Sequence, residues 1–189
     1  MNNGSWRREY DYHASVGRGN TPRGYNIIKS PFSVYVEKCG THRGVNLEQG
    51  IVNAIDRVER PSLLDLGCGV GRGLNLPSYI KHKINRVGIT AAEFRSDPQI
   101  LLDRLSGKEI ALGDAHHLTK YFPSNQFDVV MSFFAMEYLN QDVALPELVQ
   151  VMAPGGIAFL HGGDYYRARD VKGIGNLEHG SNGITFAKE

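Results

Sequence analysis

Apolar positions along the chain fall into a regular pattern from about residue 46 onward. Leu47, Ile51, Ile55 and Val58 recur at helical spacing as far as Pro61, and Asn46 with Gln49 three residues later has the form of a capping box. This predicts a helix with one buried face. Behind it, short apolar runs alternate with longer segments: Ser62 to Leu66, Arg86 to Thr90, Glu109 to Leu112, Phe127 to Ser132 and Ile157 to His161. Runs of this length, joined by crossovers, predict a mostly parallel sheet with helices on both faces, a doubly wound α/β fold. Two crossovers are marked by their own signals. Ala91 to Leu105 reads as a helix despite Pro98, and Asp142 to Met152 reads as one capped by Asn140 or Asp142, with Pro146 early and a stop at Ala153-Pro154-Gly155-Gly156.

The two ends of the chain lack this order. Residues 1–43 mix Gly, Arg, Asn and Tyr without periodicity, and read as an arm or lid preceding a domain over 44–189. After His161 come 28 residues, six of them Gly, in which Ile184 to Ala187 could form one short strand, so the C-terminal end reads as abbreviated. A sheet trimmed there would expose an edge that a second subunit could cover, which makes a homodimer an expectation.

Composition narrows the function classes. A chain of 189 residues with 41% hydrophobic content can bury one substantial core. Net charge is +1, but residues 1–43 carry +4 and the remainder −3. The arm interleaves Arg with Trp6, Tyr10, Tyr12 and Tyr25, a composition able to track a nucleic-acid backbone and stack bases, or to close over a ligand. The remainder has no matching basic excess, which favours the lid. Cys39 and Cys68 are too few for a disulfide framework, no paired cysteine spacing indicates a metal, and no apolar run reaches membrane-spanning length. A cytoplasmic protein without a membrane span is the expectation.

The densest chemical signal is Asp65-Leu66-Gly67-Cys68-Gly69-Val70-Gly71-Arg72-Gly73, directly after the first predicted strand. Glycines there let the backbone turn sharply and let a ligand lie against it, with N–H groups facing an anion at the start of the next helix. The spacing matches neither the dinucleotide fingerprint nor a phosphate loop of the Walker type. A tight turn alone would need one glycine.

Together with this loop, Gly113-Asp114-Ala115-His116-His117-Leu118, Phe127-Asp128-Val129-Val130-Met131-Ser132, Met136-Glu137-Tyr138-Leu139, and Leu148 with Ala153 to Gly156 stand in the order and spacing of a known family. Over residues 62–161 the chain resembles the class I S-adenosylmethionine-dependent methyltransferases, whose fold is Rossmann-like. The resemblance implies S-adenosyl-L-methionine as cofactor. It also implies cofactor-binding roles for Asp65, Gly67, Cys68, Gly69 and Gly71 at the methionine part, Thr90 at the ribose, Asp114 and Ala115 at the adenine, and Ser132 and Phe133 beneath the methionine portion. Thr90 stands where most relatives have an acid and offers one acceptor atom where a carboxylate offers two, unless Glu93 reaches in.

Candidate catalytic or acceptor-orienting residues are Glu137, Tyr138 and His161. The competing reading of Glu137 and Tyr138, a capping or helix-packing role, is the favoured one, and His161 reads equally as a hydrogen-bonded structural histidine. Ser132-Phe133-Phe134-Ala135 departs from the [Asp/Asn]-Pro-Pro-[Tyr/Phe] pattern of amino-directed nucleic-acid enzymes, and Phe133, Phe134 and Met136 read as an apolar wall or as core. The expected function is methyl transfer to a small organic acceptor. The alternatives are a non-catalytic methyltransferase-like binding or regulatory protein, and an RNA-directed enzyme that uses the basic arm.

Overall fold

The computed structural model describes residues 31–90 and 108–189, apart from Val70, Asp164, Tyr166 and Ser181. The segment 1–30, Glu93 and the helix expected from Ala91 lie outside the described residues. Among those described, no helix is long and apolar enough to cross a membrane.

Two small elements precede the sheet. Helix α1 (Phe32–Lys38) turns Phe32 and Tyr35 inward, and a two-residue hairpin of β1 (Thr41–His42) and β2 (Val45–Asn46) leads into α2 (Leu47–Arg57). The arm expected over residues 1–43 therefore does not run to its stated boundary. From Phe32 the chain is packed: Phe32, Tyr35, Cys39 and His42 are all buried, because the apolar side chains of α1 recur three or four residues apart and find the sheet. Helix α2 starts where its cap predicts, with the Asn46 Oδ1 accepting from the Gln49 N–H at 2.9 Å. The reciprocal half of the box is absent, since the Gln49 amide donates to Asn53 Oδ1.

The main sheet has seven strands in the order β5-β4-β3-β6-β7-β9-β8. They are β3 (Ser62–Leu66), β4 (Asn85–Thr90), β5 (Lys108–Leu112), β6 (Phe127–Phe133), β7 (Met152–His161), β8 (Ile174–Gly180) and β9 (Gly183–Lys188). The first five in chain order run parallel, and β9 inserts antiparallel between β7 and β8. The doubly wound α/β expectation holds. Leu64, Leu66 and Val130 point to one face, where α3 (Gln141–Val151) supplies Leu145 and Leu148. Leu63, Val129, Met131 and Phe159 point to the other, beneath α1 and α2.

Two expectations change. The C-terminal abbreviation falls on the helical connections and spares the sheet: β8 and β9 form the antiparallel pair, so β7 has no bare edge. Strand β8 escaped the sequence reading because Gly175, Asn176, Glu178, His179 and Gly180 give it no apolar alternation, and its hold comes from outside. The Arg43 N–H donates to both Glu178 carboxylate oxygens at 3.0 Å, and its guanidinium bonds Asn176. The second change concerns the segment after β3, which forms one 3-10 turn, Arg72–Leu74, in place of a helix. Glycine at 71 and 73, Asn75 and Pro77 follow too closely for helical turns to propagate.

The crossing point of the sheet sets a stability test. Gly67 has φ +77°, and a Cβ there would lie 2.1 Å from the Ala135 Cβ. Gly67→Ala should lower the urea midpoint by an amount equivalent to about 2–4 kcal/mol. Ala135→Gly added to it should recover the steric part and leave the left-handed strain of about 1 kcal/mol. A neutral Gly67→Ala would refute this packing. Asn46→Ala should cost about 1 kcal/mol by the same measurement.

Candidate active site

The carboxyl ends of β3, β4, β5, β6 and β7 form one edge. Leu66 pairs with Ile89 on one side and Ser132 on the other, so residue 67 emerges where the strand order reverses, the crevice in which open α/β sheets bind ligands. Gly67, Gly69 and Gly71 have φ of +77°, +53° and +74°. Each lies in the left-handed region that L side chains avoid. Gly73 is required for a different reason: a Cβ there would fall 2.6 Å from the Tyr35 ring and 2.8 Å from Asp65 Oδ2. All four glycines thus have local structural causes.

The hydrogen bonding of the loop corrects the expectation of an anion cradle. The Gly67 and Cys68 N–H groups donate to the Ile89 carbonyl at 2.8 and 3.1 Å, and the Gly71 N–H donates to the Cys68 carbonyl at 2.8 Å. These donors are spent within the fold, and no helix follows to add its positive end. Such a loop suits the close approach of a neutral or positively charged group better than a phosphate. S-adenosylmethionine, whose methionine part carries an ammonium and a sulfonium besides its carboxylate, meets that requirement through its two cationic groups.

Farther along the edge, Thr90 ends β4 and is buried, its carbonyl accepting from the Gly113 N–H at 2.9 Å. Asp114 caps a 3-10 segment, Ala115–Lys120. Its Oδ1 accepts from the His116 N–H at 2.9 Å and from His116 Nδ1 at 2.7 Å, while His116 Nε2 accepts from the Asn140 N–H at 2.9 Å. The acceptor role of Nε2 puts the proton of a neutral His116 on Nδ1. Burial would raise the Asp114 pKa, but the His116 hydrogen bonds and the nearby imidazoles outweigh it and hold it low. Both contacts fall on one oxygen of a half-exposed carboxylate. Of the histidine pair, His116 is buried and His117 exposed.

A second group of predicted residues lies on the α1 side and is closed to solvent. Asp65 is fully buried, its Oδ2 accepting from the Tyr35 hydroxyl at 3.3 Å and its Oδ1 without a partner among the described residues. Burial pushes its carboxyl up to about 8, although the Tyr35 hydrogen bond pulls the other way. His161 is also buried, stacked on Phe133 at 4.9 Å and met edge-on by Phe134 at 4.8 Å. Burial lowers its pKa, opposed by a backbone hydrogen bond with Lys38. On the opposite face, Ser132 is buried with its hydroxyl donating to the Leu66 carbonyl at 3.1 Å, which ties β6 to β3.

Glu137 and Tyr138 occupy a 3-10 turn, Met136–Tyr138, in which Met136 is fully buried and belongs to the core. Glu137 is exposed and lines a cavity of about 550 Å3 with Phe134, Gly162, Tyr165, His179 and Asn182. His161 and Tyr138 do not line it. The sequence reading missed His179 and Asn182 because β8 and the start of β9 carried no strand signal. It also missed Tyr35, whose spacing from Phe32 was the one clue. Among the described residues, no three His, Cys, Asp or Glu side chains are grouped to hold a metal ion.

Asp65 yields a pH prediction. Its folded pKa of about 8 lies above its ordinary value, so folding favours the protonated form. The associated stability is fully present below pH ~4, declines as pH rises, and is gone above ~8, an upper-bound change of about 6 kcal/mol. In urea unfolding at pH 5 and pH 8, Asp65→Asn should lose much less stability than the parent. Equal losses would show that Asp65 is ionised in the fold.

Comparison with known proteins agrees with this architecture. The chain resembles the solved structure of TrmN from Thermus thermophilus, with a TM-score of 0.54 and 20% identity over 76% of this chain and 48% of that one. It also resembles phosphoethanolamine N-methyltransferase 1 from Haemonchus contortus, in complex with phosphoethanolamine and S-adenosylhomocysteine, with a TM-score of 0.51 and 15% identity over 85% of this chain and 33% of that one. The match to the [4+2]-cyclase SpnF has 24% identity and a TM-score of 0.47 over 59% of this chain and 42% of that one. The chain thus spans half or less of the length of these three structures. A search of curated protein sequences finds no match. A family model described as a methyltransferase domain matches residues 64–160, just over half of the chain and the whole span from the end of β3 to the end of β7. The chain therefore belongs to the methyltransferase domain family, with the class I fold and S-adenosylmethionine as its cofactor.

Proposed function

We propose that the chain catalyses methyl transfer from S-adenosylmethionine to a small organic acceptor held in the cavity beside Glu137. The observation that carries this reading is the junction of two features at one edge. The glycine loop, Thr90 and Asp114 follow the ends of β3, β4 and β5, and the cavity opens beyond β6 and β7. When bound, the cofactor supplies a methyl group already activated on a sulfonium, so the protein needs no covalent intermediate.

What the chain contributes is position and exclusion of water. Gly67, Cys68, Gly69 and Gly71 give the methionine part close access to backbone, Thr90 takes the ribose, and Asp114 with Ala115 takes the adenine. His116 orients Asp114 and leaves its second oxygen for the ligand. Ser132 and Phe133 form the floor between cofactor and acceptor. Glu137 orients the acceptor, and Tyr138 continues the turn that presents it. His161 works as a positioning residue: closed from solvent and stacked on Phe133, it holds the ring pair Phe133 and Phe134 in place.

Isothermal titration of the full chain should give binding of S-adenosylmethionine and S-adenosylhomocysteine and none of NADH. Asp114→Ala should weaken both by about 1–3 kcal/mol. Failure of both ligands in a folded sample would overturn the proposal in favour of a partner-binding protein. Binding without turnover across neutral, cationic and anionic acceptors would point to the non-catalytic alternative.

A further inference from the structure

The wall of the acceptor cavity is built around one strained aromatic residue. Phe134 has φ +62°, a left-handed conformation uncommon for so bulky a side chain. It is held there from several directions. Its N–H donates to the His161 carbonyl at 2.8 Å, and its ring meets Phe133 edge-on at 4.7 Å and His161 edge-on at 4.8 Å. Gly162 leaves the ring room, since a Cβ there would fall 2.6 Å from it. The strained residue is thus packed on one side and faces the cavity on the other.

The second ring in the wall is Tyr165, which is buried and donates its hydroxyl to the Gly162 carbonyl at 2.5 Å. Burial pushes its phenol pKa up, so the ring stays neutral, and the hydroxyl is already used. At 3% exposure Tyr165 backs the wall and leaves the contact with a ligand to Phe134. Among the described lining residues, the acidic group is the exposed Glu137 carboxylate, and there is no Lys or Arg. His179 and the Asn182 amide, from β8 and the turn before β9, supply polar atoms on the opposite side.

A carboxylate beside a partly exposed aromatic ring, with no Lys or Arg among the described lining residues, is the chemistry that recognises an organic cation. Among the described lining residues, no Lys or Arg would offset the Glu137 charge for an anionic acceptor. Resting on the methyltransferase reading above, we infer that the acceptor is a small amine, bound as its ammonium through Glu137 and the partly exposed ring of Phe134. For transfer, the ammonium loses a proton to solvent through the open cavity. The nitrogen lone pair then forms the N–C bond as the methyl C–S bond breaks, its electron pair passing to sulfur. The sulfonium becomes a thioether, and the methylated ammonium can release its extra proton to solvent.

The test uses phenethylammonium chloride and sodium phenylacetate, titrated into the full chain with and without S-adenosylhomocysteine. Phenethylammonium should bind at least about tenfold more tightly than phenylacetate. Glu137→Gln should remove most of that preference, and Phe134→Leu should weaken the ammonium alone. Equal or tighter binding of phenylacetate, or an ammonium affinity indifferent to Glu137→Gln, would overturn the assignment. Failure of the ammonium in a chain that binds S-adenosylhomocysteine would sink the amine acceptor and leave the methyltransferase reading standing. Charge-selective ammonium binding in a chain that ignores S-adenosylhomocysteine would do the reverse.

Discussion

The constraint on which the structure depends is the contact between Gly67 and Ala135. Strands β3 and β6 lie side by side, and the chain leaves each at the same edge, so the two exits compete for one space. Only a residue without a Cβ, turned into the left-handed region, lets both pass. Once that crossing is made, the Gly67 and Cys68 N–H groups reach the Ile89 carbonyl and bind β4 to the loop. The 3-10 turn beyond then lays Gly73 against Tyr35 and Asp65. The glycines are therefore first a solution to chain crossing, and the open backbone they leave is what a cofactor can use.

The two faces of the sheet differ in polarity near this crossing. Below α1, Asp65, Tyr35, Cys39 and His161 are buried polar groups that pack under the loop and the aromatic floor. Toward the open edge stand Asp114 and Glu137, acids that keep contact with solvent. Burial is the difference: one carboxyl is driven toward its neutral form, while Asp114 is held ionised by the His116 hydrogen bonds.

Much of this was legible in the chain. Strand β3 matches its apolar run residue for residue, and α2 begins at the cap Asn46 predicts. These succeed because burial on one or both faces leaves a periodic trace. Strand β8 left none, since Arg43 and the neighbouring strand hold it where apolar alternation does not. The site divides in the same way. Asp114 and the glycine loop are local motifs and could be read. Phe134 and Glu137 could be singled out too, but their joining with Tyr165 and His179 could not, because the four become neighbours only when β8 and β9 fold back beside β7. His161 was visible at its strand end, but nothing in its sequence neighbourhood tells that Phe133, Phe134 and Lys38 enclose it.

The place of β9 carries a consequence for synthesis. This strand, residues 183–188, lies between β7 and β8, and Lys188 ties back to the Met152 carbonyl at 2.8 Å. A nascent chain that has emerged only through β8 cannot close its sheet, because the interior position next to β7 is still unfilled. Until residue 188 has left the ribosome, β7 presents its hydrogen-bonding groups and Phe159 and Leu160 beside an open edge, the kind of surface on which unfinished chains join one another. The β8–β9 hairpin that completes the cavity wall is thus also the latch that ends this exposure, so the edge beside β7 stays open until β9 has paired.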